Sequence, residues 1–206
     1  MTKAKKRKDL RKQQILQAAI EVFGSRSFQN AGISEIAQKA NIAEGTIYQY
    51  FKNKEDLFFS IPAQMIEEFC EELDLHLEGI NDALNKLRKL TWFYLYHFKS
   101  NPTYARILML EMRVSRNFPQ SRTFDRVQVI ADKVLELIRE GQQGGLIRND
   151  VDGRDIRELL LGMLEHRVTR WVLKEGKFDL LENYGVICEL IFEGIRSPRT
   201  TEKNIG

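Results

Sequence analysis

Apolar side chains recur at spacings of three and four along most of this chain, the period of a helix with one buried face. Over residues 9–26 the stripe is Ile15, Ala18, Ala19, Val22 and Phe23, with Phe28 closing the turn beyond it. Residues 33–40 place Ile36, Ala37 and Ala40 on one face, and Gly32 with Glu35 forms half of a capping box at the start. Asn41, Ile42, Ala43 and Glu44 predict a tight turn, with Asn41 suited to a left-handed backbone and Ile42 plugging the angle between helices. A second short helix over residues 45–51 turns Ile47 and Phe51 inward and leaves Thr46, Tyr48, Gln49 and Tyr50 pointing outward. Three such helices can share a core where each alone is marginal.

Beyond this head the helical pattern lengthens. Residues 55–78 carry Leu57, Phe58, Ile61, Met65, Ile66, Phe69 and Leu73 on one face, behind an acidic first turn that suits the helix dipole. Pro62 predicts either a kink or a fresh start. Further helices are expected over residues 81–99, 102–115, 121–141, 153–174 and 180–196, separated by Asn, Pro and Gly signals. No strand pattern and no internal repeat is present in the sequence. The expected fold is all-α, with a three-helix helix-turn-helix head over residues 1–54 and a helical body over residues 55–206.

Charge sharpens that division. Residues 1–54 hold eleven Lys or Arg against four Asp or Glu, a balance of +7, whereas residues 55–206 hold twenty-one against twenty-five, a balance of −4. A basic head on an acidic body fits nucleic-acid binding by the head alone. Much of the excess lies in residues 1–8, expected to be a disordered basic arm able to reach a minor groove. With 43% hydrophobic and 30% charged residues the chain is ordinary for a globular protein. No apolar run reaches membrane-spanning length. Cys70 and Cys188 lie far apart in helical patterns and read as reduced thiols of a cytoplasmic protein.

The three histidines, His76, His97 and His166, are spread over separate helices with no neighbouring nucleophile or metal-ligand spacing, and no Lys-Ser/Thr follows the glycines at 141–145. No catalytic residue, no metal site and no cofactor is therefore expected. The outward face of residues 44–54 carries different chemistry. A helix N-terminus at Glu44 and Gly45 presents unpaired N–H groups to phosphate, and the Thr46 hydroxyl adds a further contact. Gln49 can pair with a base edge, most naturally adenine, while Tyr48 and Tyr50 can lie on sugar–phosphate or against a thymine methyl. Lys52 and Lys54 suit flanking phosphates.

The run Ile36, Ala37, Ala40, Ile42, Gly45, Thr46, Ile47, Tyr48, Tyr50, Phe51, Lys54 and Glu55 resembles the DNA-binding signature of the TetR family of bacterial transcriptional regulators. The family pattern has Thr or Ser near positions 31 and 32, where this chain has Ala31 and Gly32, so Ser34 is the candidate replacement for the missing hydroxyl; the usual His at position 50 is Tyr. The resemblance implies a homodimeric repressor on a palindromic operator, released when a small molecule in the body moves the linking helix. Residues 153–174 and 180–196 carry Ile156, Leu159, Leu160, Met163, Leu164, Trp171, Val186, Ile187, Leu190, Ile191 and Ile195, enough apolar surface for a four-helix bundle with a second copy.

For the effector, the aromatic segment at 92–98 supplies Trp92, Tyr94, Tyr96 and Phe98, followed by Tyr104, Leu108, Met109, Met112 and Arg113, with Met163, Arg167 and Arg170 closing the far side. Aromatics and Met with a few cations suit a long apolar ligand with an anionic end. Residues 162–180 resemble the FadR-like branch of the family, which implies a fatty acyl-CoA. Another apolar or aromatic ligand, a protein partner without any small molecule, and nonspecific DNA compaction are the competing expectations.

Overall fold

The structure, a computed structural model, describes residues 3–197. It is helical throughout: α1 Lys3–Ser25, α2 Ile33–Lys39, α3 Glu44–Ile47, α4 Lys54–Leu77, α5 Ala83–Ser100, α6 Pro102–Arg106, α7 Arg122–Gln143, α8 Gly153–Leu173 and α9 Tyr184–Ile195. A π-helical turn, Ile107–Met112, continues α6, and a 3₁₀ turn, Phe118–Gln120, precedes α7. Among the described residues the one isolated β-type pairing joins Ile147 to Arg196.

In the head, Ile15, Ala19 and Phe23 of α1 meet Ile36 of α2 and Ile47 of α3 in a fully buried core. The basic arm expected to be disordered is instead wound into α1 from Lys3 onward. Lys and Arg lose little rotamer freedom in a helix, so a charged run need not end one. Met1 and Thr2 of that arm lie outside the described residues.

α4 joins head to body without a break, passing through Pro62. Asn53 caps it by accepting from the Asp56 amide at 2.8 Å, and the Asp56 carboxylate accepts from the Lys52 amide at 2.8 Å. Thr123, buried at the start of α7, donates its hydroxyl to the Phe59 carbonyl at 2.7 Å in the turn before the proline. Pro62 has no amide to donate to the Phe58 carbonyl, and the bond to the next carbonyl ties α7 to α4 at that point. At the head, Phe58 stacks edge-on against Phe23 at 5.0 Å and lies 4.7 Å from Phe28, so the first turns of α4 share the head's core.

The body core is formed by Phe69 and Leu73 of α4, Leu87, Leu90 and Phe93 of α5, Val134 and Ile138 of α7, and Leu160 and Leu164 of α8. Gly141 lets the 145–152 connector fold back on α7, because a Cβ there would lie 2.5 Å from Ile147 Cδ1. α9 begins at Tyr184, later than the periodicity over residues 180–196 predicts. Leu180 is buried at its periodic place but sits in a turn, and Asn183 is left-handed at φ 56° before the helix starts.

Candidate nucleic-acid interface and body cavity

The turn after α2 closes as a Schellman motif. Asn41 is left-handed at φ 51°, the Asn41 amide donates to Gln38 at 3.1 Å, and the Ile42 amide donates to Ala37 at 3.0 Å. Gly32 makes no side-chain cap; the half capping box is not used, since Glu35 pairs with Arg26 at 3.0 Å. α3 is one turn long and continues as tight turns through Tyr50, whose amide donates to Ile47 at 3.0 Å. No side chain caps its N-terminus at Ala43.

Glu44, Gly45, Tyr48, Gln49 and Lys52 are exposed, Thr46 and Tyr50 are half-buried, and Ser34 is exposed on the neighbouring α2. Tyr50 packs against the head core while Tyr48 is 50% exposed. Lys54 departs from the expected phosphate role: its ammonium lies 4.7 Å over the Phe28 ring and donates to the Gln29 carbonyl at 3.3 Å, turned back onto the head.

A narrow apolar cavity lies in the body between α4, α5, the π turn, α7 and α8. Of the residues picked out from the sequence, Tyr94, Phe98, Tyr104, Leu108 and Arg113 line it. Trp92, Tyr96, Met109, Met112, Met163, Arg167 and Arg170 do not. Helix geometry sorts them: Tyr94 and Phe98 share one face of α5, while Trp92 and Tyr96 share another and stack on each other at 5.0 Å, with Lys89 4.2 Å over Trp92. Met109 and Met112 are buried in the core. The Arg167 guanidinium is held by the Leu180 carbonyl at 2.9 Å and by the Glu182 carbonyl.

Residues not flagged from sequence complete the wall: Met65, Ile66 and Phe69 of α4, His97 of α5, Val127, Ile130 and Ala131 of α7, and Leu161 and Glu165 of α8. The signal for α7 was available, because Val127, Ile130, Ala131 and Val134 fall at helical spacing. The Arg113 guanidinium forms a two-pronged pair with the Glu165 carboxylate, one prong at 2.6 Å. This pair neutralises the cation that the sequence offered to an anionic ligand. Burial pushes the phenols of Tyr94 and Tyr104 far above their ordinary range. Among the described residues no cluster of three His, Cys, Asp or Glu could hold a metal ion.

His97 is 7% exposed, its Nε2 has no partner, and burial pulls its pKa down to about 4. The imidazole is therefore neutral in the fold but takes a proton near pH 6.5 when unfolded. Between those values the unfolded chain binds more protons, so this group costs stability as pH falls from about 6.5 to 4. The expected loss is about 3 kcal/mol by pH 4. Urea melts of the wild type and His97→Phe across that range should show the variant with the flatter pH dependence.

A basic helix-turn-helix head, joined through α4 to a helical body with an apolar cavity, is the architecture of a ligand-controlled DNA-binding regulator. The signature described as bacterial regulatory proteins of the tetR family matches residues 15–61, and that of the C-terminal region of YsiA-like proteins matches residues 63–194. The chain belongs to the TetR family of bacterial transcriptional regulators. It is 30% identical over 187 residues to the fatty acid metabolism regulator protein of Bacillus subtilis, covering 89% of this chain and 95% of that one. The fold is similar to that of the fatty acid degradation regulator FadR from Bacillus halodurans, with a TM-score of 0.84, 28% identity and coverage of 91% and 97%. It is equally similar to FadR from Bacillus subtilis in complex with stearoyl-CoA, with a TM-score of 0.84, 29% identity and coverage of 89% and 98%. Among the described residues no helix is long and apolar enough to cross a membrane.

Proposed function

We propose that this regulator is a cytoplasmic repressor that holds a palindromic operator as a homodimer and leaves it when a long-chain fatty acyl-CoA enters the body. The head, residues 1–54, reads DNA; the body, residues 55–206, senses and dimerises. The carrying observation is the pocket wall: apolar, and with its ion pair, Arg113 to Glu165, internally neutral. Such a wall suits an acyl chain and leaves the charged end of the ligand outside, since Arg113 and Arg167 are both already held by protein oxygens. The fatty acid regulators of Bacillus, one of them bound to stearoyl-CoA, support the same ligand class.

DNA contact falls to Glu44, Gly45, Tyr48, Gln49 and Lys52, which are exposed, and to the half-buried Thr46 and Tyr50, with Ser34 beside them. Two copies pair through α8 and α9, where Leu159, Leu173, Val186 and Leu190 are 58%, 64%, 56% and 73% exposed. Gly162 and Gly185 have open space where a Cβ would point, so a partner helix can approach closely. Introducing Asp at both Leu159 and Leu190 is expected to give a monomer by light scattering, with operator affinity lost alongside. The function itself is tested by selecting duplexes from sheared genomic DNA. One palindromic site should outcompete bulk DNA by about 10³-fold or more, and stearoyl-CoA should release it. Equal affinity for all duplexes would refute the reading.

A further inference from the structure

The π turn after α6 faces two ways. Leu108 and Arg113 form part of the cavity wall. Arg106 and Glu111 point instead at the DNA-reading head. One terminal nitrogen of Arg106 donates to the last carbonyls of α1, Phe23 at 2.8 Å and Gly24 at 2.7 Å. The Glu111 carboxylate accepts from the Phe28 amide at 2.7 Å, just beyond the end of α1. Arg106 and Glu111 also pair with each other at 3.4 Å. The five groups make one charged clamp across the junction of head and body.

Backbone geometry places these residues. The Arg113 amide donates to the Leu108 carbonyl at 3.2 Å, one residue further than an α-helix allows. In this wider turn residues five apart come toward one side, so 106 and 111 gather at the head while 108 and 113 gather at the cavity. Single π turns cost stability and persist mostly where function needs them. The contact is tight elsewhere along the same seam: a Cβ on Gly24 would stand 2.1 Å from Thr103 Cγ2. An Arg guanidinium at the C-terminus of α1 also meets the negative end of that helix's dipole.

The geometry points to Arg106 and Glu111 as positioning residues that relay cavity occupancy to the head through the π turn, alongside any movement of α4. This rests on the acyl-CoA reading above. A ligand that displaces Leu108 or Arg113 shifts the turn. The turn in turn draws on the end of α1 through the clamp, because one segment of eight residues, 106–113, carries both sets of contacts. Without the clamp, ligand and operator each still bind, but neither binding event is felt by the other.

The test measures operator affinity by fluorescence anisotropy with and without saturating stearoyl-CoA, in the wild type, Arg106→Met, Glu111→Leu and Arg106→Lys. The wild type should change its affinity on the order of 100-fold, the two clamp-breaking variants less than about 10-fold, and Arg106→Lys should fall between, because an ammonium keeps the charge but not the fork. Stearoyl-CoA affinity of the free variants should match the wild type, and by reciprocity added operator should weaken it only by the same reduced factor. Variants that keep the full response, or that lose operator affinity equally with and without ligand, would overturn the relay while leaving the acyl-CoA reading intact. A wild type indifferent to stearoyl-CoA would overturn both. Hydrogen exchange of residues 22–30 in the wild type needs no variant to fold: stearoyl-CoA should speed exchange at the Phe28 amide, and an unchanged rate overturns the relay.

Discussion

Tyr48→Ala is expected to weaken operator binding by about 10³-fold while leaving the fold and the dimer unchanged. Tyr48 is half exposed and its side chain makes no hydrogen bond among the described residues, so its removal leaves no buried group unpaired. Its place is fixed by its neighbours: Ile47 is fully buried and Phe51 nearly so, and the turn between them leaves Tyr48 and Gln49 outside. A contact at a base edge or thymine methyl contributes about 1–3 kcal/mol. A symmetric dimer makes it twice, so a loss of about 2 kcal/mol per half-site becomes about 4 kcal/mol, or about 10³-fold. Lys52→Ala should behave differently, lowering affinity for all duplexes alike and reducing the salt dependence. Titrations at two salt concentrations against operator and scrambled duplex separate the two effects, and an undiminished affinity of Tyr48→Ala would remove this face from the interface.

Ala131→Trp is expected to abolish release by stearoyl-CoA while operator affinity without ligand stays at the wild-type level. Ala131 is 8% exposed and lines the cavity from α7, so an indole there occupies space the acyl chain would take. Each methylene kept out of the apolar wall costs about 0.8 kcal/mol, and excluding about five of them weakens the ligand by about 4 kcal/mol, or about 10³-fold. The substitution lies in the body and away from residues 44–52, so the two activities should separate cleanly. Calorimetry with stearoyl-CoA and anisotropy with operator, run on the same preparation, measure them independently. Retained release by this variant would place the ligand elsewhere in the body.

How much of this was legible in the sequence depends on how local each feature is. The helix-turn-helix is written in consecutive residues: Asn41 for a left-handed step, Ile47 and Phe51 for the inner face, Thr46, Tyr48 and Gln49 for the outer one. Periodicity also located the long helices of the body, because each buries one stripe. It erred where charge or tertiary contacts decide the backbone. Lys3 to Lys8 are helical because nothing in a run of Lys and Arg breaks a helix. Leu180 keeps its buried place without being helical, since the Arg167 side chain holds the turn around it by the Leu180 carbonyl.

The cavity was legible only in part. Density of aromatics brought out Trp92 and Tyr96 together with Tyr94 and Phe98, although a helix sends the two pairs in different directions. His97 lay inside the segment, but no sequence feature marks it as a cavity residue. Glu165 becomes meaningful only beside Arg113, which lies far away along the chain and close in space. The clamp of Arg106 and Glu111 was out of reach, because a spacing of five is not a helical spacing until the π turn is seen.

Native mass spectrometry of the protein mixed with its selected duplex, before and after adding stearoyl-CoA, tests the central claim most directly. The expected starting species is two chains on one duplex. Adding ligand should convert it into a dimer carrying the mass of stearoyl-CoA, with free duplex appearing in proportion. A duplex that stays bound to the ligand-loaded dimer, or a protein that takes up no ligand while the duplex remains, would contradict the account.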